Sequence, residues 1–211
     1  GYPSYLLLTS RLLAPHWASI CRIFERNTHV TNAQARSPRS TPPAQPTEAD
    51  KQLLQIAQGV EITAHDLYKK AADSGKFAGD ELAMITMFGE HHNMYAQAIN
   101  GLIGKAATNQ RNDSLYSTHV GQLGSAQSAY SALQNVENTV AATNTDILGQ
   151  LQGIDAVRVL ASIITIEARQ AAVFGTLPGL NLTSALDKSA NSLAPSIPQA
   201  PEASTETTVA P

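Results

Sequence analysis

The stretch from Ile154 to Phe174 holds neither Pro nor Gly, and within it Val157, Leu160, Ile164, Glu167, Ala171 and Phe174 recur at steps of three and four. That spacing is one face of an α-helix. Glu167 stands inside the apolar face. A buried carboxylate costs several kcal/mol unless it is paired, protonated or bound to a metal. A chain that buries this helix must therefore bring polar partners to Glu167, which narrows the fold to one whose elements meet around a polar interior.

Three more segments carry the same period. Thr47-Glu-Ala-Asp50 supplies a capping hydroxyl and an acidic first turn, predicting a helix from there to about Ser74. Its apolar face runs through Leu53, Leu54, Ala57, Val60, Ala64, Leu67, Tyr68 and Ala71, and includes Glu61, with His65 one turn later. A second helix is predicted over about Asp80–Ile103, with Leu82, Ile85, Phe88, His92, Tyr95, Ile99 and Leu102 inward and His91 near the boundary. A short helix is expected around Ser114–Val120. A longer one over about Ser125–Leu148 turns Ala126, Ala129, Tyr130, Leu133, Val136, Glu137 and Val140 inward.

These helices repeat. Val60-Glu-Ile-Thr-Ala64 and Val136-Glu-Asn-Thr-Val140 align at a separation of 76 residues. Glu61 precedes His92 by 31 residues, and Glu137 precedes Glu167 by 30. Two copies of one helical hairpin, joined by the longer connection after Ile103, make an all-α four-helix bundle with a crossover, its inward polar residues meeting near the centre. The predicted bundle spans 47–179. Residues 1–46 read as an amphipathic leader followed by the Pro-rich linker Ser37–Pro46, and 180–211 as a Pro/Ser/Thr-rich tail, both mostly disordered, with one short helical turn at Asn181–Leu186.

Val60-Glu-x6-Tyr68, Phe88-x2-His-His92-x7-Asn100 and Ile166-Glu-Ala-Arg-Gln170, in that order and spacing, resemble the ferritin-like superfamily, and more closely the small ferritin-like proteins common in actinobacteria. The resemblance covers about Thr47–Gly179. It implies a centre built from one Glu on each of two helices and a Glu-x-x-His on each of the other two, holding two iron or manganese ions. Carried over, Glu61 and Glu137 match the lone carboxylates. The other helices offer His92-x-x-Tyr95 and Glu167-x-x-Gln170, so neither Glu-x-x-His is intact. The resemblance thus implies a degenerate metal centre of Glu61, His92, Glu137 and Glu167, with His65, Tyr95 and Gln170 as supporting groups or weak ligands, and without ordinary ferroxidase activity.

Two rivals stand beside that reading. In the first, no metal binds and the bundle is a structural or interaction protein, one of its three carboxylates protonated and the others hydrogen-bonded to Tyr68, Tyr95 or Gln170. In the second, the chain is an oxidase or peroxide scavenger with unusual ligands. Other chemistries lack their parts: there is no phosphate-binding Gly loop, no Cys/His zinc spacing and no identifiable Ser or Cys nucleophile beside a base. A formal net charge of −3 gives no electrostatic case for nucleic acid, and no apolar run reaches the length of a membrane span. The family resemblance implies export or a cell-envelope location, although the leader lacks the pattern of a signal peptide, and leaves room for a homo-oligomer.

Overall fold

The structure, a computed structural model, describes residues 41–177, 183 and 190–195. Within them are five α-helices: α1 (Glu48–Ala72), α2 (Gly79–Ile103), α3 (Asp113–Val120), α4 (Ala126–Leu148) and α5 (Ile154–Gly175). Local chemistry fixes several starts. The Thr47 hydroxyl accepts from the Asp50 backbone N–H while the Asp50 carboxylate accepts from Thr47, a reciprocal capping box. Asn112 caps α3 through Leu115 N–H, and Ser125 caps α4 through Ser128 N–H.

Two apolar clusters give the helix directions. One gathers the start of α1 (Leu54, Ala57), the ends of α2 (Ile99, Ile103) and α4 (Ile147), and the start of α5 (Ala156, Leu160, Ile163). The other gathers the end of α1 (Leu67, Tyr68, Ala71), the starts of α2 (Ile85, Phe88) and α4 (Ala129, Tyr130, Leu133), and Phe174 near the end of α5. Helices α1 and α5 therefore run one way, and α2 and α4 the other. The principal pairings are α1 with α2 and α4 with α5, each hairpin packing on the other through α1–α4 and α2–α5.

The connection after α2 must return along the bundle so that α4 can run parallel to α2. It does so on the outside of α1, climbing in register. Gln55 donates to Ala106 O at 2.6 Å, Gln58 to Asn109 Oδ1 at 3.0 Å, and Asn112 N–H to Thr63 Oγ1 at 2.8 Å. Helix α3 continues that path. At the opposite corner the Asp50 carboxylate accepts from the Gln152 and Gly153 N–H groups, both at 2.9 Å, tying the start of α5 to the start of α1. The end of the Pro-rich linker completes this cap. Pro43 O and Ala44 O accept from Ile154 and Asp155 N–H, both at 3.0 Å. Gly153 is required there, because a Cβ would lie 2.7 Å from Gln45 O and 2.8 Å from Pro46 Cα.

The inward faces differ in phase from their sequence pattern. In α5 the buried line is Ala156, Leu160, Ile163, Glu167, Gln170, Ala171 and Phe174, with Val157 and Ile164 half-buried at its edge. In α2, Ala96 and Ile103 are buried, whereas Leu82, Tyr95 and Leu102 are half-buried. In the stretch expected to be a tail, Leu193 N–H donates to Thr143 Oγ1 at 3.0 Å and Pro195 O accepts from Gln150 at 3.2 Å, laying residues 193–195 against the end of α4 and the turn that follows it. The leader and, but for Thr183, the turn expected at 181–186 lie outside the described residues. No helix among the described residues is long and apolar enough to cross a membrane.

Candidate metal centre

Between the two apolar clusters the bundle carries a polar layer. Each helix of the two hairpins contributes a fully buried side chain to it: Glu61 from α1, His92 from α2, Glu137 and Asn144 from α4, and Glu167 from α5. His92 lies between two carboxylates, with Nδ1 2.7 Å from Glu61 Oε2 and Nε2 3.2 Å from Glu137 Oε1. The Asn144 amide donates to Glu61 Oε1 at 2.8 Å and to Glu167 Oε1 at 3.0 Å. The Tyr68 hydroxyl donates to Glu137 Oε1, and its ring stacks on His92 with centroids 5.4 Å apart. Ligand atoms of Glu61, His92 and Glu167 all lie within 4.8 Å of one another. Among the described residues, buried Glu137 Oε2 has no hydrogen-bond partner.

The repeat is expressed in these contacts. Tyr68 follows Glu61 by seven residues, and Asn144 follows Glu137 by seven. Each of these two residues bonds to the carboxylate that opens the other hairpin, Tyr68 to Glu137 and Asn144 to Glu61. The inward polar side chain of the second helix in each hairpin, His92 or Glu167, completes the same exchange.

Protons keep the layer tolerable in a dry interior. Burial alone would lower the His92 pKa, but Glu137 and Glu61 on either side outweigh it and raise the imidazole to about 10. Burial, then the adjacent Glu61 and Glu137, hold the Glu167 carboxyl well above its usual range. The layer thus favours a protonated His92 between Glu61 and Glu137, and a protonated Glu167 that shares a hydrogen bond with Glu61. Burial and Glu137 likewise push the Tyr68 phenol well up, so it remains a donor.

All four residues expected at the centre, Glu61, His92, Glu137 and Glu167, are brought together. The three supporting residues are not placed alike. Tyr95 is half-buried and meets His92 by ring edge, with centroids 5.9 Å apart and planes at 83°. Gln170 is buried, but its amide turns across the α2–α5 seam to His91 Nδ1 at 3.0 Å instead of to Glu167. His65 faces the α1–α2 surface cleft, 3.4 Å from Asp66 Oδ1. Asn144 was not anticipated at all. Its one sequence signal is the seven-residue step that pairs it with Tyr68 in the repeat.

No curated protein and no solved structure matches this chain. The sequence model of the ferritin-like domain family matches residues 49–180, well over half of the chain. The match covers both hairpins, their crossover and every residue of the buried polar layer, and the chain belongs to the ferritin-like domain family.

Proposed function

We infer that this protein is a metal-binding ferritin-like protein whose centre takes a single iron or manganese ion and lacks the ligands of an ordinary dimetal ferroxidase. The observation that carries the reading is the convergence of Glu61, His92 and Glu167, donors from three helices, to within 4.8 Å. Two carboxylates and an imidazole suit iron or manganese. Glu137 offers a fourth donor, since its Oε2 is buried and unpartnered. The same chemistry argues against a full pair. Tyr95 and Gln170 stand where the family pattern has histidines, and Gln170 is engaged with His91. When bound, such an ion supplies a Lewis-acidic, redox-capable centre. The chain's own residues set the terms of binding: His92 gives up a proton, Glu167 gives up another, and the Asn144 amide withdraws from the carboxylates it now bridges.

A metal-free bundle with a structural or interaction role is the second reading. Its support is that His92 and the Asn144 amide already bond to all three carboxylates, leaving Glu137 Oε2 as the oxygen without a partner among the described residues. Metal analysis of protein purified without chelator, followed by titration with Mn(II) or Fe(II), separates the two. Metal binding predicts stoichiometric uptake that Glu61→Gln abolishes. Absence of metal in the purified protein together with no uptake on titration would sink it. An oxidase role requires, in addition, consumption of dioxygen or peroxide with Fe(II).

A further inference from the structure

All three methionines of the chain, Met84, Met87 and Met94, lie in α2. With His91 they fall at steps of three, four and three, which is one helical face. Met84 packs partly into the core. Met87 and Met94 do not: they are 49% and 53% exposed, the most exposed large apolar side chains among the described residues. Thioethers flanking an imidazole on a solvent-facing surface are soft donors, which select Cu(I) over the hard cations that carboxylates prefer.

His91 is held for such a role. Its ring stacks on Phe88, with centroids 6.2 Å apart and planes at 26°. Its Nδ1 is tied to the Gln170 amide, and among the described residues no hydrogen bond uses its Nε2. Buried Gln170 Oε1 has no hydrogen-bond partner among the described residues. As placed, the Gln170 amide donates to Nδ1 and the ring proton sits on Nε2; an ion at Nε2 requires the other tautomer, with the amide turned over so that Oε1 accepts from Nδ1–H. Met87 precedes His91 by four residues and Met94 follows it by three, so each is its neighbour on the helix surface, at a Cβ separation of about 5–6 Å. Their flexible side chains can close on an ion held by Nε2. The exposed Glu90 adds negative charge beside them.

We propose that Met87, His91 and Met94 form an outer site for a soft monovalent cation, Cu(I), separate from the buried carboxylate layer. The site stands whether or not that layer holds a metal. The test titrates the full chain with Ag(I), a redox-stable analogue, and with Cu(I) in competition with a chromophoric chelator, while the methionine methyl groups are followed by NMR. The expected result is one equivalent bound, with the Met87 and Met94 methyl signals shifting far more than Met84. The double variant Met87→Leu/Met94→Leu, which keeps volume and helix propensity, should bind at least ~10-fold more weakly and leave any Mn(II) uptake unchanged. His91→Asn should weaken binding as well. Absent stoichiometric binding, or equal affinity in wild type and the double variant, overturns the proposal. So does a double variant that alters only self-association, which would identify the stripe as a contact between copies of the chain.

Discussion

Asn144 holds the buried layer together by donating to carboxylates of two other helices. Replacing it with Asp removes the donor and sets a further acid against Glu61 and Glu167. Without metal, Asn144→Asp should cost about 3 kcal/mol or more, and added Mn(II) should restore much of the loss if the layer binds metal. Urea denaturation with and without Mn(II) measures both, and an unaffected metal-free variant would contradict the bridging role. Glu167→Gln should act oppositely. Glu167 is already held protonated, and Gln can still accept from Asn144 and donate toward Glu61. We expect unchanged or raised metal-free stability and a loss of metal affinity; marked metal-free destabilisation would count against a neutral Glu167. The carboxylates were legible in the sequence because charge inside an apolar period is conspicuous. Asn144 was not, because an amide in a helix ordinarily means a solvated position. His65 lies one turn from Glu61 along the chain and lines the surface cleft between α1 and α2.

At the scale of the element, the helices were legible and their exact inward faces less so. Caps such as Thr47 and Ser125 are local signals, and the ends they mark agree with the structure within about two residues. The phase of a buried face depends on which neighbours a helix meets. Tyr95 and Leu102 share the apolar period of α2, but Ala96 and Ile103 occupy the seam. The crossover's route along α1 rests on contacts such as Gln58–Asn109, 51 residues apart, which no local pattern announces. Close approach of α1 and α2 depends on Gly89. A Cβ there would meet Tyr68 Cβ at 2.9 Å, an atom fixed by the backbone and unable to swing away. Gly89→Ala should therefore push the two helices apart, cost about 1–3 kcal/mol and weaken the Tyr68–Glu137 hydrogen bond. Thermal melting and the tyrosine absorption spectrum would register the two effects. A variant as stable as wild type, with Tyr68 undisturbed, would show that the seam is looser than this geometry.

For the molecule as a whole, the buried layer makes stability a function of pH with a definite sign. His92 is raised from 6.5 to about 10, so its contribution is fully present below 6.5 and is lost as pH rises through about 10. Glu167 is raised well above 4.5, so its contribution is fully present below 4.5 and is lost on the way up to its folded value. Both groups bind protons more tightly in the folded state, and both losses run in the same direction. Asp50 opposes them at the acid end. Burial alone would raise its pKa, but the N–H groups of Thr47, Gln152 and Gly153 outweigh it, and the stability Asp50 contributes is lost only as pH falls through its lowered value. Metal-free protein should accordingly be most stable on the acid side of neutrality, and its Tm should fall steadily from pH 6.5 to 10. Glu167→Gln, which cannot lose that proton, should flatten the alkaline fall. A bound ion would reverse the dependence, because uptake must displace the protons of His92 and Glu167 and so strengthens as they become easier to remove. Melting curves across this range, with and without saturating Mn(II), should diverge as pH rises if the layer binds metal and coincide if it does not. A metal-free Tm that rises from pH 6.5 to 10 would show that His92 does not hold its proton between Glu61 and Glu137.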